Sequence, residues 1–291
     1  MGYDSLTLKQ KSVLNLTPNG SEGAIWGAGA GPAASPSGEI FLLTGNGTFD
    51  TTLNSSGFPA SGDFGNALVE IAVSQGQMQV KDYFTMYNSQ GESGGDVDLG
   101  SGGAMVLPPI ADASKLLHYL VVGAGKDGNL YLAHRINLGK YNPQGDKIYQ
   151  QLTGALPGGI WSAPAYFGGY IYYCPQGGQL RAFQFNSTTA KLETTPSSMT
   201  SQAFSYPGAI PSVSANGAAN GIVWATDGGS NPAVLHAYLA TDLAQEIYNS
   251  SQAAGGRDNF GAGNKFITQT VADGKVYVAS QTGVGIFGIL P

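Results

Sequence analysis

Two aspartates in a glycine-rich loop are the first residues whose types and spacing suggest chemistry. Asp96 and Asp98 are separated by one valine and followed by Gly-Ser-Gly-Gly at positions 100–103. Carboxylates supply the hard oxygen ligands that Ca²⁺ prefers, although the glutamate that completes an EF-hand loop is missing here. The alternative is a turn in which aspartate side chains accept hydrogen bonds from backbone N–H groups before a strand near Ala104. We keep Asp96 and Asp98 as candidate calcium ligands.

A second candidate is the adjacent pair Arg257 and Asp258, in the loop before the last strands of the chain. An arginine side chain binds a carboxylate through its planar fork, so Arg257 is a candidate for ligand binding together with Asp258. The alternative is a local ion pair between the two neighbours. The sequence Lys126-Asp127-Gly128 favours a hairpin turn over a binding site, because Asp-Gly is a strong turn signal.

The three tryptophans, Trp26, Trp161 and Trp224, offer flat apolar faces for a ligand. Trp161 directly precedes a predicted inner strand and is therefore the best candidate for a ligand-binding aromatic residue. Packing is the alternative for Trp161, and it is the prediction for Trp224, which alternates with apolar residues in a strand.

Several catalytic and metal-binding patterns do not occur in the sequence. The single cysteine, Cys174, lies in an apolar strand and is predicted to be a buried hydrophobic residue. His118, His134 and His236 are scattered and lack metal-ligand spacing. There is no Gly-x-Ser-x-Gly elbow, no Walker loop and no Cys-x-x-Cys-His sequence for haem attachment. We predict no catalytic residue.

The elements that position these residues come from a repeated phrase of roughly 50 residues. Its clearest copy, from Ser162 to Phe185, predicts a strand after a proline, a glycine turn, an apolar strand, a second glycine turn and a strand ending in Ala-Phe. About five such units, each a four-stranded sheet, are typical of an all-β β-propeller. The predicted blades are 27–85, 100–150, 158–200, 205–252 and 262–291 with 2–17, in a single domain over residues 1–291.

The two ends of the chain predict how the last blade is completed. Its final copy has three strands, and the segment from Gly2 to Leu16 resembles the end of a third strand followed by a fourth. Pairing of this segment with the last blade would close the ring and remove an exposed sheet edge. Two alternatives stay open: a complete five-bladed ring, or a fragment of a larger propeller.

The composition excludes some partners. Charged residues make up 11% of the chain and the net charge is −6, without any run of lysine and arginine, so a nucleic-acid partner is not expected. No apolar stretch approaches the roughly 20 residues that span a bilayer, and no signal peptide is visible.

The repeat resembles that of pyrroloquinoline quinone (PQQ)-type β-propellers. The resemblance rests on Ser162-Ala-Pro-Ala165, on Gly-x-Ile-Tyr-Tyr and on Gly-Gly-Gln-Leu-x-Ala-Phe that follow it, and it covers nearly the whole chain. The family's linking pattern is degenerate at Ala182–Lys191 and Tyr3–Lys9, where the glycine is replaced and the docking tryptophan is missing. The enzymes of this family resemble eight-bladed propellers with an adjacent cysteine pair and a set of calcium ligands, and this chain shows neither motif.

The resemblance implies a non-catalytic, extracytoplasmic member of the family, periplasmic or secreted. Such a protein is expected to act as a scaffold or to bind a protein, glycan or small ligand on one face of the ring, with no cofactor. The alternative is a PQQ- and Ca²⁺-dependent alcohol or sugar dehydrogenase, or a fragment of one. A purely architectural ring within a larger protein is a third hypothesis.

Overall fold

The computed structural model describes residues 1–289, and nearly all of its regular structure is β. The chain forms two compact units. Unit 1 comprises Met1–Ile110 and Leu117–Gln151, and unit 2 comprises Ala111–Leu116 and the chain from Leu152 onward. No helix among the described residues has the length and apolar character needed to cross a membrane.

Unit 1 begins with a hairpin and continues with two antiparallel four-stranded sheets. The hairpin consists of β1 (Gly2–Tyr3) and β2 (Gln10–Ser12). The first sheet consists of β3 (Ala33–Ala34), β4 (Ile40–Leu43), β5 (Leu68–Ser74) and β6 (Gln77–Phe84). A short helix, α1 (Ser89–Gly94), and a 3₁₀ turn (Leu99–Ser101) follow. Next come β7 (Met105–Val106) and a small hairpin of β8 (Ile110–Ala111) and β9 (Leu117–His118). The second sheet joins β7 to β10 (Leu120–Ala124), β11 (Leu130–His134) and β12 (Gln150–Leu152).

Unit 2 contains three further antiparallel sheets, each in sequential strand order. The third sheet consists of β13 (Ala165–Phe167), β14 (Tyr170–Tyr173), β15 (Arg181–Gln184) and β16 (Ser198–Met199). The fourth consists of β17 (Ser212–Asn216), β18 (Ala219–Asp227), β19 (Val234–Leu239) and β20 (Asp242–Asn249). After a 3₁₀ turn (Ala254–Gly256), the fifth has three strands among the described residues: β21 (Thr270–Ala272), β22 (Lys275–Ala279) and β23 (Val284–Gly288).

Side-chain patterns explain these sheets. The residues of β10 are all buried, as expected for a strand covered on both faces, whereas β22 alternates between exposed Lys275 and buried Val276 and Val278. In unit 1, Phe41, Leu43, Leu68, Phe84, Val121 and Tyr131 belong to one core between the two sheets. The predicted glycine turn between β13 and β14 is confirmed, since Gly168 and Gly169 both have positive φ.

The N-terminal segment, which the sequence predicts to pair with the last sheet, forms a hairpin of its own in unit 1. β1 pairs with β2, because Asp4 organises the intervening turn by accepting hydrogen bonds from the backbone N–H groups of Leu6 and Thr7. The Ser12 hydroxyl then accepts a hydrogen bond from the N–H of Met78 in β6. A local turn therefore commits this segment to unit 1, beside the edge of the first sheet.

Candidate functional site

The two predicted calcium ligands lie in a polar cluster of unit 1. In a meander, the loop that enters the first strand and the loop that follows the second lie at the same end of the sheet. Loops of this kind from the first two sheets bring together five residues, which we call the Trp26 cluster: Trp26, Asn46, Asp96, Asp98 and Lys126. Sequence reasoning singled out only the two aspartates as site residues within this set.

Lys126 holds the two carboxylates. Its Nζ lies 2.5 Å from Asp96 Oδ1 and 2.8 Å from Asp98 Oδ1, and the Asp98 side chain is 3% exposed. Burial by itself lowers the pKa of Lys126, but its hydrogen bonds with Asp96 and Asp98 outweigh that effect and raise it. The same hydrogen bond from Lys126, with a second from Asn46, lowers the pKa of Asp96. Lys126 and Asp96 are therefore charged at neutral pH, and the ammonium group lies within hydrogen-bond distance of both aspartate side chains.

This arrangement does not fit Ca²⁺. The ammonium of Lys126 lies where a cation would approach both carboxylates, and Ca²⁺ requires six to eight oxygen ligands. Among residues 1–289 no group of three or more His, Cys, Asp or Glu side chains is arranged to hold a metal. The geometry thus does not favour the calcium prediction for Asp96 and Asp98. The alternative interpretation, a turn capped by aspartate side chains, does not describe Asp98 either. Asp98 precedes the 3₁₀ turn, but its side chain makes no capping hydrogen bond there.

Trp26 adds an aromatic surface to these charges. Its side chain is 71% exposed, although its indole nitrogen lies close to Gly45. A Cβ at position 45 would lie 3.0 Å from Asp98 Oδ2 and 3.1 Å from Trp26 Nε1, so a larger residue there would crowd both groups. Asn46 Nδ2 donates to Asp96 Oδ1 at 2.6 Å, whereas Asn46 Oδ1 is buried without a partner in the described part of the chain. The cluster can accept and donate hydrogen bonds beside an exposed indole.

Asn66 and two glycines position Asp98. Asn66 is fully buried at a φ of 51°, and its Oδ1 accepts a hydrogen bond from the N–H of Leu99 at 2.7 Å. A Cβ at Gly100 would lie 2.3 Å from the backbone nitrogen of Gly45, and one at Gly125 would lie 2.4 Å from Leu99 Cα. The glycine-rich loop is therefore required by backbone packing of the 3₁₀ turn against two strand ends.

In unit 2, Arg257 and Asp258 form the local ion pair that was the alternative interpretation. Arg257 Nε and Nη2 donate to the two oxygens of Asp258 at 2.7 and 3.0 Å, and Tyr248 donates to Asp258 Oδ2 at 2.6 Å. The hydrogen bond from Arg257, followed by that from Tyr248, lowers the pKa of Asp258 to about 2. The Arg257 side chain is still 57% exposed.

These residues line a groove of 710 Å³, which we call the Arg257 groove. One wall comes from the fourth sheet, where Trp224 and Tyr248 lie in the same cross-strand row on either side of Ala237. The other comes from the fifth sheet, where Val271, Val276 and Phe287 form a corresponding row. Trp224 is only partly buried, and its indole N–H donates to the Ser214 hydroxyl at 2.8 Å. The groove thus has apolar walls and a charged rim.

The other residues considered in the sequence analysis pack against neighbouring side chains. Trp161 is partly buried and packs edge-on against Tyr206 at 5.8 Å between ring centroids. Cys174 is fully buried, and burial raises the pKa of its thiol to about 12, which agrees with the predicted hydrophobic role. His118 and His134, which we described as scattered, stack on each other at 5.3 Å beside Tyr149. Both residues lie in unit 1, and their separation in the sequence does not reveal the contact between their rings.

The raised pKa of Glu92 in α1 leads us to expect that the free energy of unfolding depends on pH. Burial, reinforced by the nearby charges of Asp127 and Asp146, raises its pKa to about 7 from a usual 4.5, and one of its carboxylate oxygens lacks a hydrogen-bond partner in the described chain. Between these two pH values Glu92 retains a proton in the folded protein that it releases in the unfolded chain, so the contribution of Glu92 to stability is fully present below pH 4.5 and is lost as the pH rises to 7. Because water partly screens Glu92, we expect a loss of about 1–2 kcal/mol.

Chemical denaturation of wild type and Glu92→Gln at several pH values between 5 and 8 measures this loss. The neutral glutamine should remove most of it, whereas replacement of exposed Glu22 by glutamine should leave the wild-type slope unchanged. A Glu92→Gln variant with the wild-type slope contradicts the prediction.

Comparison with known proteins places the fold. The sequence matches no protein-family model and no curated protein. Among solved structures, the quinohemoprotein alcohol dehydrogenase from Comamonas testosteroni is similar over 91% of this chain and 45% of its own, with a TM-score of 0.52 and 13% identity. A second quinohemoprotein alcohol dehydrogenase, from Pseudomonas putida, is similar over 90% of this chain and 45% of its own, with a TM-score of 0.50 and 13% identity.

BamB from Moraxella catarrhalis is similar over 92% of this chain and 63% of its own, with a TM-score of 0.46 and 12% identity. The chain therefore spans less than two thirds of the length of these structures. Identities this low carry information on the fold alone. Together with the chain's successive antiparallel meanders, this similarity supports a β-propeller fold.

Proposed function

We propose that this chain is a non-catalytic binding module that recognises carbohydrate at the Trp26 cluster. The observation that carries the proposal is the exposed indole of Trp26 beside carboxylates already neutralised in part by Lys126. An aromatic face accepts the apolar C–H face of a sugar ring, and neighbouring carboxylate, amide and ammonium groups hydrogen-bond its hydroxyls. A neutral polyhydroxylated ligand suits such a site better than a metal ion does.

We also propose the domain organisation and the location of the protein. A single propeller domain over residues 1–291, a five-blade count and an extracytoplasmic location are supported by the repeat and by the resemblance to PQQ-type propellers. The alternative, a PQQ- and Ca²⁺-dependent dehydrogenase, is not favoured because Lys126 pairs with the candidate calcium ligands.

Binding of soluble oligosaccharides of glucose and of N-acetylglucosamine, followed by isothermal titration calorimetry, tests the proposal. We expect saturable binding of at least one series, and a loss of at least about tenfold in affinity in Trp26→Ala, since that substitution removes the stacking surface. Trp161→Ala is the matched control, because it removes an aromatic residue of unit 2, and it should bind like wild type. Wild-type affinity in Trp26→Ala, or no binding of any oligosaccharide, counts against the proposal, as does Ca²⁺-dependent turnover of an alcohol with added PQQ.

A further inference from the structure

The Arg257 groove of unit 2 shares no residue with the Trp26 cluster and has a different chemistry. Its walls are apolar and partly aromatic: Trp224 and Tyr248 on one side and Phe287 on the other. The Tyr248 and Phe287 rings lie 6.4 Å apart, and small Ala237 separates Trp224 from Tyr248 in their row. A groove of 710 Å³ between two sheet faces suits a flat apolar body the size of a small molecule.

The charged residues of the groove favour a ligand with negative charge. Arg257 and Lys275 contribute two positive charges and Asp258 one negative charge, in a chain whose net charge is −6. Arg257 uses Nε and Nη2 to bind Asp258, so its other guanidinium N–H groups remain for another acceptor. Lys275 lies at the exposed end of the groove with no ion pair to any described residue, and its stem passes 3.4 Å from where a Cβ of Gly288 would lie.

We propose that the Arg257 groove binds an amphipathic anion, namely an aromatic carboxylate. The aromatic body lies between the Trp224–Tyr248 wall and the Phe287 wall, and the carboxylate contacts Arg257 and Lys275. Tyr248 and Asp258 act as positioning residues, because their hydrogen bonds fix the orientation of the guanidinium. This site is independent of the carbohydrate proposal.

Calorimetric titration with 2-naphthoate, and with 2-naphthalenemethanol as its neutral analogue, tests the site. We expect saturable binding of naphthoate below about 1 mM and an affinity for the alcohol at least about tenfold lower, because a charge-assisted hydrogen bond is lost. The variants Arg257→Gln and Lys275→Gln should each weaken naphthoate binding severalfold and leave the alcohol unaffected. Lys9→Gln, which removes an exposed positive charge of unit 1, is the matched control and should bind like wild type.

Isoleucine methyl NMR locates the ligand without relying on the stability of a variant. Ile222 and Ile286 line the groove, whereas Ile25 lies in unit 1. Naphthoate should shift the Ile222 and Ile286 methyl signals and leave that of Ile25 in place. Equal affinities for the acid and the alcohol, wild-type binding in both charge variants, or unshifted Ile222 and Ile286 signals would overturn the proposal.

Discussion

Replacing Asn66 with alanine is expected to destabilise unit 1 by about 3–5 kcal/mol. The substitution leaves the buried N–H of Leu99 without its acceptor and removes the donor to the Ser89 carbonyl, and each lost buried hydrogen bond costs about 1–3 kcal/mol. It also places a Cβ-bearing residue without a polar side chain at a φ of 51°, which adds roughly 1 kcal/mol. Urea denaturation measures the total.

Asn220→Ala separates the backbone contribution from the hydrogen bonds. Asn220 also has positive φ, at 56°, but its side chain is exposed, so its replacement should cost about 1 kcal/mol. Hydrogen exchange at the Leu99 amide provides a local readout, and this amide should lose protection in Asn66→Ala alone. Equal destabilisation by the two substitutions would show that Asn66 does not hold the 3₁₀ turn.

The strands could be predicted from the sequence because their signals are local. The apolar run of Tyr170–Tyr173 between glycine turns, and the Asp127-Gly128 turn, determine structure within a few residues. The helix α1 was not predicted, since its sequence Ser-Gln-Gly-Glu-Ser-Gly contains two glycines with low helix propensity. The N-terminal hairpin was also missed, because the turn at Asp4 competes with the longer-range pairing that the repeat suggests.

The candidate site could be predicted only in part. Asp96 and Asp98 attracted attention as carboxylates in a polar loop, but their partner Lys126 lies in a turn of the second sheet. Residue types and spacing do not report which turns meet in space, so the calcium hypothesis lacked the observation that weighs against it. Arg257 and Asp258 are neighbours, and their pairing was therefore foreseeable. The groove beside them depends on two facing rows of side chains, which only the packing of the sheets brings together.

Replacing Gly100 with alanine is expected to cost about 2–4 kcal/mol and to weaken any ligand binding at the Trp26 cluster. The added Cβ would lie 2.3–2.6 Å from Gly45 N, Thr44 C and Gly45 Cα, all backbone atoms at the end of the first sheet's second strand. Because backbone cannot rotate away as a side chain does, the 3₁₀ turn must move as a unit. That movement carries Asp98 away from Lys126 and Trp26.

Gly91→Ala is the matched control for this substitution. Its Cβ would meet nothing within 4 Å, and Gly91 lies inside α1, where alanine is the better helix former by up to about 1 kcal/mol. Thermal denaturation should therefore show a lower midpoint for Gly100→Ala and an unchanged or higher one for Gly91→Ala. If Gly100→Ala unfolded like wild type, the close approach of the turn to Thr44 and Gly45 would be incorrect, and the glycine-rich loop would need another explanation. If it lost stability but kept full oligosaccharide affinity, Asp98 would not belong to the ligand site, and recognition would rest on Trp26 and Asn46.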